Sequence, residues 1–232
     1  MSGTSNSLFN SIKQYQKYFH PLFQPNLNTG NTFLLDLSIH NPEMKDLDFK
    51  NVKSFDRYIF QKIENAGKLY GYGGYMEDRE IYRRSALFGS EGEDIRRFHL
   101  GVDIWKNAGE PVYCPLDATV HSFQNNNNYG DYGPTIILKH QLQGHVFYTL
   151  YGHLSLPSLD GLYEGKIITK GSKFCFLGNF PGNGDYPAHL HFQIIKEMDN
   201  YRGDFPGVSS QKDKNFYAEN CPDPILFFHE LI

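Results

Sequence analysis

Pro187-Ala188-His189-Leu190-His191-Phe192-Gln193-Ile194-Ile195 is the stretch whose reading decides this chain. Leu190, Phe192 and Ile194 alternate with His189, His191 and Gln193. That period of two marks a strand with one apolar and one polar face. On a helix the two imidazoles would diverge by about 200°. On a strand they point the same way, so one polar site can use both. Ordinary surface strands often carry a His-x-His pair, so the weight falls on what else the chain offers as partners.

Two other stretches offer them. In Phe98-His99-Leu100-Gly101-Val102-Asp103-Ile104-Trp105, His99 and Asp103 have same-face spacing for a strand or a helix. The β-branched residues and Gly101 favour the extended form. Phe147-Tyr148-Thr149-Leu150-Tyr151-Gly152-His153 is a β-prone run leading to one histidine. A structural zinc site wants four tight ligands, usually several of them cysteine. A catalytic one takes three His or carboxylate ligands and keeps a position for water. Two histidines and an aspartate fit the second pattern, with two histidines spare for proton transfer. His20, His40, His121, His140, His145 and His229 lie outside these stretches and read as solvated or hydrogen-bonded residues.

His99-Leu100-Gly101-Val102-Asp103, Tyr151-Gly152-His153-Leu154 and His189-Leu190-His191-Phe192, in this order, resemble the three motifs of the lysostaphin/LytM-type zinc endopeptidases. Pro111 to Val120 lies between the first two, and the resemblance runs roughly from Tyr72 to Ile195. It implies a mainly β fold, a compact antiparallel sheet core of the duplicated hybrid motif, barrel-sandwich kind, with a groove over the sheet. It implies one Zn2+ per chain on His99, Asp103 and His191, with His153 and His189 as the non-ligand, catalytic histidines. The implied activity is hydrolysis of peptide bonds in peptidoglycan-like peptides. The alternatives are a zinc hydrolase of a small amide or amine metabolite inside the cell, and a non-catalytic peptidoglycan-binding or regulatory module. No His-Glu-x-x-His helix is present, so a glutamate-base scheme does not apply.

At 232 residues the chain is one domain with additions or two small ones. The expected division is an N-terminal helical and irregular extension over 1–70, the β domain over 71–200, and a loop-rich tail over 201–232. A net charge of −4 and a pI near 6.2 give no footprint for nucleic acid or an anionic membrane, and neither is expected as a partner. Cys114, Cys175 and Cys221 are odd in number, which argues against a disulfide framework or a cysteine zinc cluster. Met1 to Asn6 is polar and Phe33-Leu34-Leu35 is broken by Asp36, so no secretory leader is read in the sequence as given and the cytoplasm is the expected location, with the periplasm or the cell exterior the alternative if a leader is missing.

Along the chain, Ser7 to Phe19 reads as a short amphipathic helix stopped by His20-Pro21. Apolar residues at 55, 58, 59 and 63 predict a second helix, with Ser54 as N-cap and Gly67 as stop. Gly71 to Tyr75 reads as a loop without phosphate-binding spacing, Glu77 to Arg84 as a solvated charged face, and Gly89 to Glu93 as a loop. Gln141 to Gly144 predicts a hairpin turn. Beyond Ile195 the pattern fades into loops.

Overall fold

The computed structural model describes residues 7–89 and 95–231. The polar start at Met1 to Asn6, and all but Gly89 of the loop expected up to Glu93, lie outside the described residues. Among the described residues no helix is long and apolar enough to cross a membrane.

In chain order the elements are α1 (Leu8–Tyr15), β1 (Thr32–Leu34), α2 (Val52–Asn65), β2 (Tyr70–Gly73), β3 (Phe98–His99) and β4 (Val102–Trp105). There follow β5 (Pro111–Tyr113), β6 (Ala118–Asn126), β7 (Gly133–Leu142), β8 (His145–Gly152), β9 (Ile167–Ile168) and β10 (Lys173–Phe176). β11 (His189–Ile195), β12 (Val208–Ser209) and α3 (Lys214–Asn220) complete the set. Eight strands form one sheet in the order β1-β2-β4-β11-β8-β7-β6-β9. Every neighbour in it is antiparallel except β1 on β2, so the sheet is mixed.

The β7–β8 hairpin turns on Gln143-Gly144, both with positive φ (50° and 83°), the backbone a two-residue turn between twisted strands requires. α2 buries Phe55, Ile59 and Ile63 at helical spacing. Its N-cap is Asn51 and not Ser54: the Asn51 side chain accepts from the Ser54 N–H at 3.2 Å, which puts Ser54 inside the first turn. Gly67 follows the helix at φ 64°.

Gly71 to Tyr75 is not the expected loop, since its first three residues lie in β2, an interior strand between β1 and β4. A Cβ at Gly71 would stand 2.6 Å from Leu35 Cδ1 and 2.8 Å from Ile63 Cδ1, so glycine here lets α2 lie close on the sheet. The expected division at residues 70 and 71 falls inside this strand. The tail also departs from a pure loop. It adds β12, paired with β3, and α3, whose Tyr217 ring lies 6.3 Å from Phe205. These elements are too short to show a period in sequence.

β11 is buried along its whole length. Its apolar face, Leu190, Phe192 and Ile194, joins Val102, Ile104 and Tyr151 in the main core, which α1 and the C-terminal Phe227 and Phe228 close. The opposite, polar face is covered by the extension around Trp105 (Leu37, Phe55, Ile59) and by the segment carrying Phe205 and Val208. Polar side chains on a strand buried on both faces need partners of their own.

Candidate metal and catalytic site

Register assembles the site. His191 pairs across β4 with Asp103 and across β8 with Gly152, while His189 pairs with Trp105. Side chains directly opposite on antiparallel strands share a face, so Asp103, His189 and His191 meet on the polar one. His153 follows β8 at φ 61°, an uncommon conformation for a residue with a side chain, fixed by its N–H donating to Tyr132 O at 2.8 Å. His99 reaches the site differently from one continuous strand. The chain breaks at Leu100-Gly101, β3 pairing with β12 and β4 with β11. A Cβ at Gly101 would come within 2.6 Å of His191 Cε1, so the chain can cross beside that ring only as glycine.

The protons explain the chemistry. His99 Nδ1 lies 3.0 Å from Gly74 O, His153 Nδ1 2.7 Å from Asn183 O, and His189 Nδ1 2.7 Å from Pro187 O. A carbonyl only accepts, so each Nδ1 carries the hydrogen and each Nε2 keeps a lone pair. His191 is turned the other way. Its Nε2 lies 3.0 Å from Gln193 Oε1, and the Gln193 amide is oriented by its Nε2 donating to Pro206 O at 3.1 Å. The lone pair of His191 is therefore on Nδ1.

That Nδ1 faces His99 Nε2 at 2.8 Å, and both stand 3.3 Å from Asp103 Oδ1. Oδ1 is buried and has no hydrogen-bond partner. Three electron-rich atoms thus converge with no hydrogen among them, which repels unless a cation sits there. Among the described residues His99, Asp103 and His191 form the metal-competent group, their ligand atoms within 4.8 Å of one another. The donor set and the orphaned oxygen fit a metal ion. His189 Nε2 is 3.8 Å from the same oxygen, and the rings of His189 and His153 lie 4.2 Å apart.

Arg79 is the residue missed in sequence. The run from Glu77 to Arg84 is not simply a solvated face: Arg79 is buried, donating Nη1 to Asp103 Oδ2 at 2.5 Å and Nε to Glu77 Oε2 at 2.6 Å. Glu77 Oε1 in turn accepts from the Leu37 N–H at 2.9 Å. Nothing in a mixed charged run marks one arginine for burial; the partner is 24 positions away. Gln193 could have been found, because it continues the polar face of His189 and His191.

Burial and the neighbouring Arg79 charge push His99 down to about 3. Burial and then His189 hold His153 well below the ordinary imidazole range, and burial lowers His189 as well. Burial alone would raise Asp103, but the Arg79 charge on Oδ2 outweighs it and holds the carboxyl well below its usual range. Burial works against the Arg79 charge, yet Asp103 and Glu77 keep its pKa well above normal. These are neutral imidazoles and an anionic carboxylate at neutral pH, the protonation states that bind metals and accept protons.

Residues 97–202 match the model of Peptidase family M23. Similar solved structures include a zinc containing peptidase from Vibrio cholerae, at 26% identity over 42% of this chain and 27% of that one, TM-score 0.32. The catalytic domain of the antimicrobial peptidase lysostaphin from Staphylococcus simulans is similar at 24% identity over 52% of this chain and 80% of that one, TM-score 0.37. A catalytic-domain variant of the prophage-encoded M23 protein EnpA from Enterococcus faecalis shows 20% identity over 51% and 83%, TM-score 0.36. The chain spans about a quarter of the length of the first of these. No curated protein matches it.

Proposed function

We propose, from the match of residues 97–202 to the model of Peptidase family M23, that this chain is a zinc-dependent peptidase acting on peptidoglycan-like peptides. The observation that carries the reading is the convergence of His99 Nε2, His191 Nδ1 and the partnerless Asp103 Oδ1. These three atoms would hold the ion. When bound, zinc supplies a Lewis acid for the scissile carbonyl and lowers the pKa of water toward about 7.

The remaining work falls to the chain's own residues. Hydrolysis breaks an O–H bond of water, forms a C–O bond, breaks the C–N bond and delivers a proton to the leaving amine. His153 and His189 are neutral and present their free Nε2 atoms beside the ligand cluster, so one takes the proton from water, and the imidazolium so formed can then donate from Nε2 to the oxyanion and pass that proton to the leaving amine. Their backbone acceptors, Asn183 O and Pro187 O, hold the tautomer that keeps Nε2 free. Tyr132 and Tyr186 pack on His153 with ring centroids 5.8 and 4.8 Å away and limit its rotation. We place this activity in the cytoplasm, a reading that the free, buried Cys114, Cys175 and Cys221 support; recovery of the native protein outside the cell would overturn that location.

Metal analysis of the purified chain tests the centre. One zinc per chain is expected, and failure to take up zinc at neutral pH would remove the basis of the mechanism. Cleavage of short Gly- or D-Ala-containing peptides should stop on adding a chelator and return with zinc.

A further inference from the structure

The site lies at the bottom of a walled cavity, not along an open sheet face. His99, Asp103, His153, His189 and His191 are each at most 5% exposed. One wall comes from the N-terminal side, with Leu37, Phe55, Tyr82 and Phe88; the other is the segment from Asp204 to Val208. Between them is a cavity of about 220 Å³, below the 300–1,000 Å³ typical of drug-sized ligand sites.

Both walls are built into the strands that carry the site. On the N-terminal side, Arg79 N donates to Arg97 O at 3.0 Å, His99 N to Glu77 O at 3.0 Å, and Met76 N to His99 O at 2.7 Å. On the other, Leu100 N donates to Gly207 O at 2.8 Å, β12 pairs with β3, and Pro206 O receives the Gln193 amide that orients His191. Moving the segment from Met76 to Arg79, or that of Pro206 and Gly207, would break hydrogen bonds that place His99 and His191. The walls are therefore part of the binding site itself.

We infer that the substrate is a small amide, a di- or tripeptide with small side chains, and that long or cross-linked peptide chains are excluded. This rests on the peptidase reading above and narrows its substrate. A long glycine strand or a peptidoglycan bridge would have to extend well beyond the roughly 220 Å³ between the wall of Tyr82 and Phe88 and that of Phe205 and Pro206.

The test compares the zinc-loaded full chain on diglycine, triglycine, pentaglycine and insoluble cross-linked peptidoglycan, reading both cleavage and binding. The expected result is kcat/KM at least tenfold higher for the two shortest peptides than for pentaglycine, with no sedimentation on the polymer. Phe88→Ala, shown to retain its zinc, should narrow the gap between triglycine and pentaglycine at least threefold. Pentaglycine or polymer cut as fast as triglycine overturns the inference and leaves the peptidase reading intact. Binding of the short peptides without cleavage of any substrate upholds the size limit and ends the peptidase reading. Binding of the polymer with none of the short peptides overturns the size limit.

Discussion

One sheet buries histidine in two opposite ways. On β7, His140 has Nδ1 3.2 Å from Asp117 O and Nε2 2.7 Å from the Thr149 hydroxyl, so both nitrogens are satisfied. Across β8, the four site imidazoles each commit one nitrogen to a fixed acceptor and aim the other at a shared space. Burial lowers the pKa of His140 much as it does that of His99, so burial does not distinguish the two regions. The difference lies in hydrogen-bond accounting: one histidine closes its account locally, while the cluster leaves lone pairs and a carboxylate oxygen that only a cation can satisfy.

The strongest way to break this comparison is His191→Ala. Removing one of three ligand atoms should abolish stoichiometric zinc and reduce cleavage to background. His189→Ala should instead leave zinc bound, while activity falls on the order of 10²–10⁴, the usual range for a lost acid–base group. His153→Ala should behave likewise, and the double change should cost less than the product of the two. If His189→Ala loses zinc and His191→Ala keeps it, the ligand set has been assigned to the wrong neighbour.

Arg79 sharpens the comparison from outside the motifs. Arg79→Ala leaves the buried Asp103 and the partly buried Glu77 without their counter-charge, a change worth about 3–5 kcal/mol of stability. Zinc affinity should fall roughly 10–100-fold, as for other residues that orient ligands. Arg79→Lys restores charge without the two-sided bridge and should recover only part. Chelator competition and denaturant unfolding measure both effects, and unchanged zinc affinity in Arg79→Ala would show that the bridge does not position Asp103. A smaller effect is expected of Gln193→Leu. It frees the His191 tautomer and should cost about tenfold in zinc affinity.

At neutral pH the change at His140 should leave zinc and activity untouched, and the sign of its effect in acid follows from linkage. Its pKa is lowered to about 4 in the folded chain, chiefly by burial, against about 6.5 unfolded. Above pH 6.5 both states are neutral and the full stability is present. As pH falls toward 4 the unfolded chain takes up a proton the folded one refuses, and stability is lost at up to about 1.4 kcal/mol per pH unit. His140→Gln should flatten the acid limb of the stability curve by that amount. An unchanged slope between pH 6.5 and 4 would mean that other groups set it.

The sequence by itself determined the local elements and the residues of the cluster. The alternation around His189 and His191, the spacing of Phe55, Ile59 and Ile63, and the Gln143-Gly144 turn are all written in neighbouring residues, where periodicity and backbone preference act. The three motifs named the five side chains that the fold brings together. Tertiary structure alone decided what surrounds them: Arg79 on Asp103 Oδ2, the opposite tautomer of His191 set by Gln193, the parallel β1, and the two walls over the site. The physical reason is distance along the chain. A strand's faces follow from adjacent residues. Whether Arg79 is buried depends on Asp103, 24 positions away, and the His191 tautomer depends on Gln193 being held by Pro206, 13 positions away; only the packed structure brings these groups into contact.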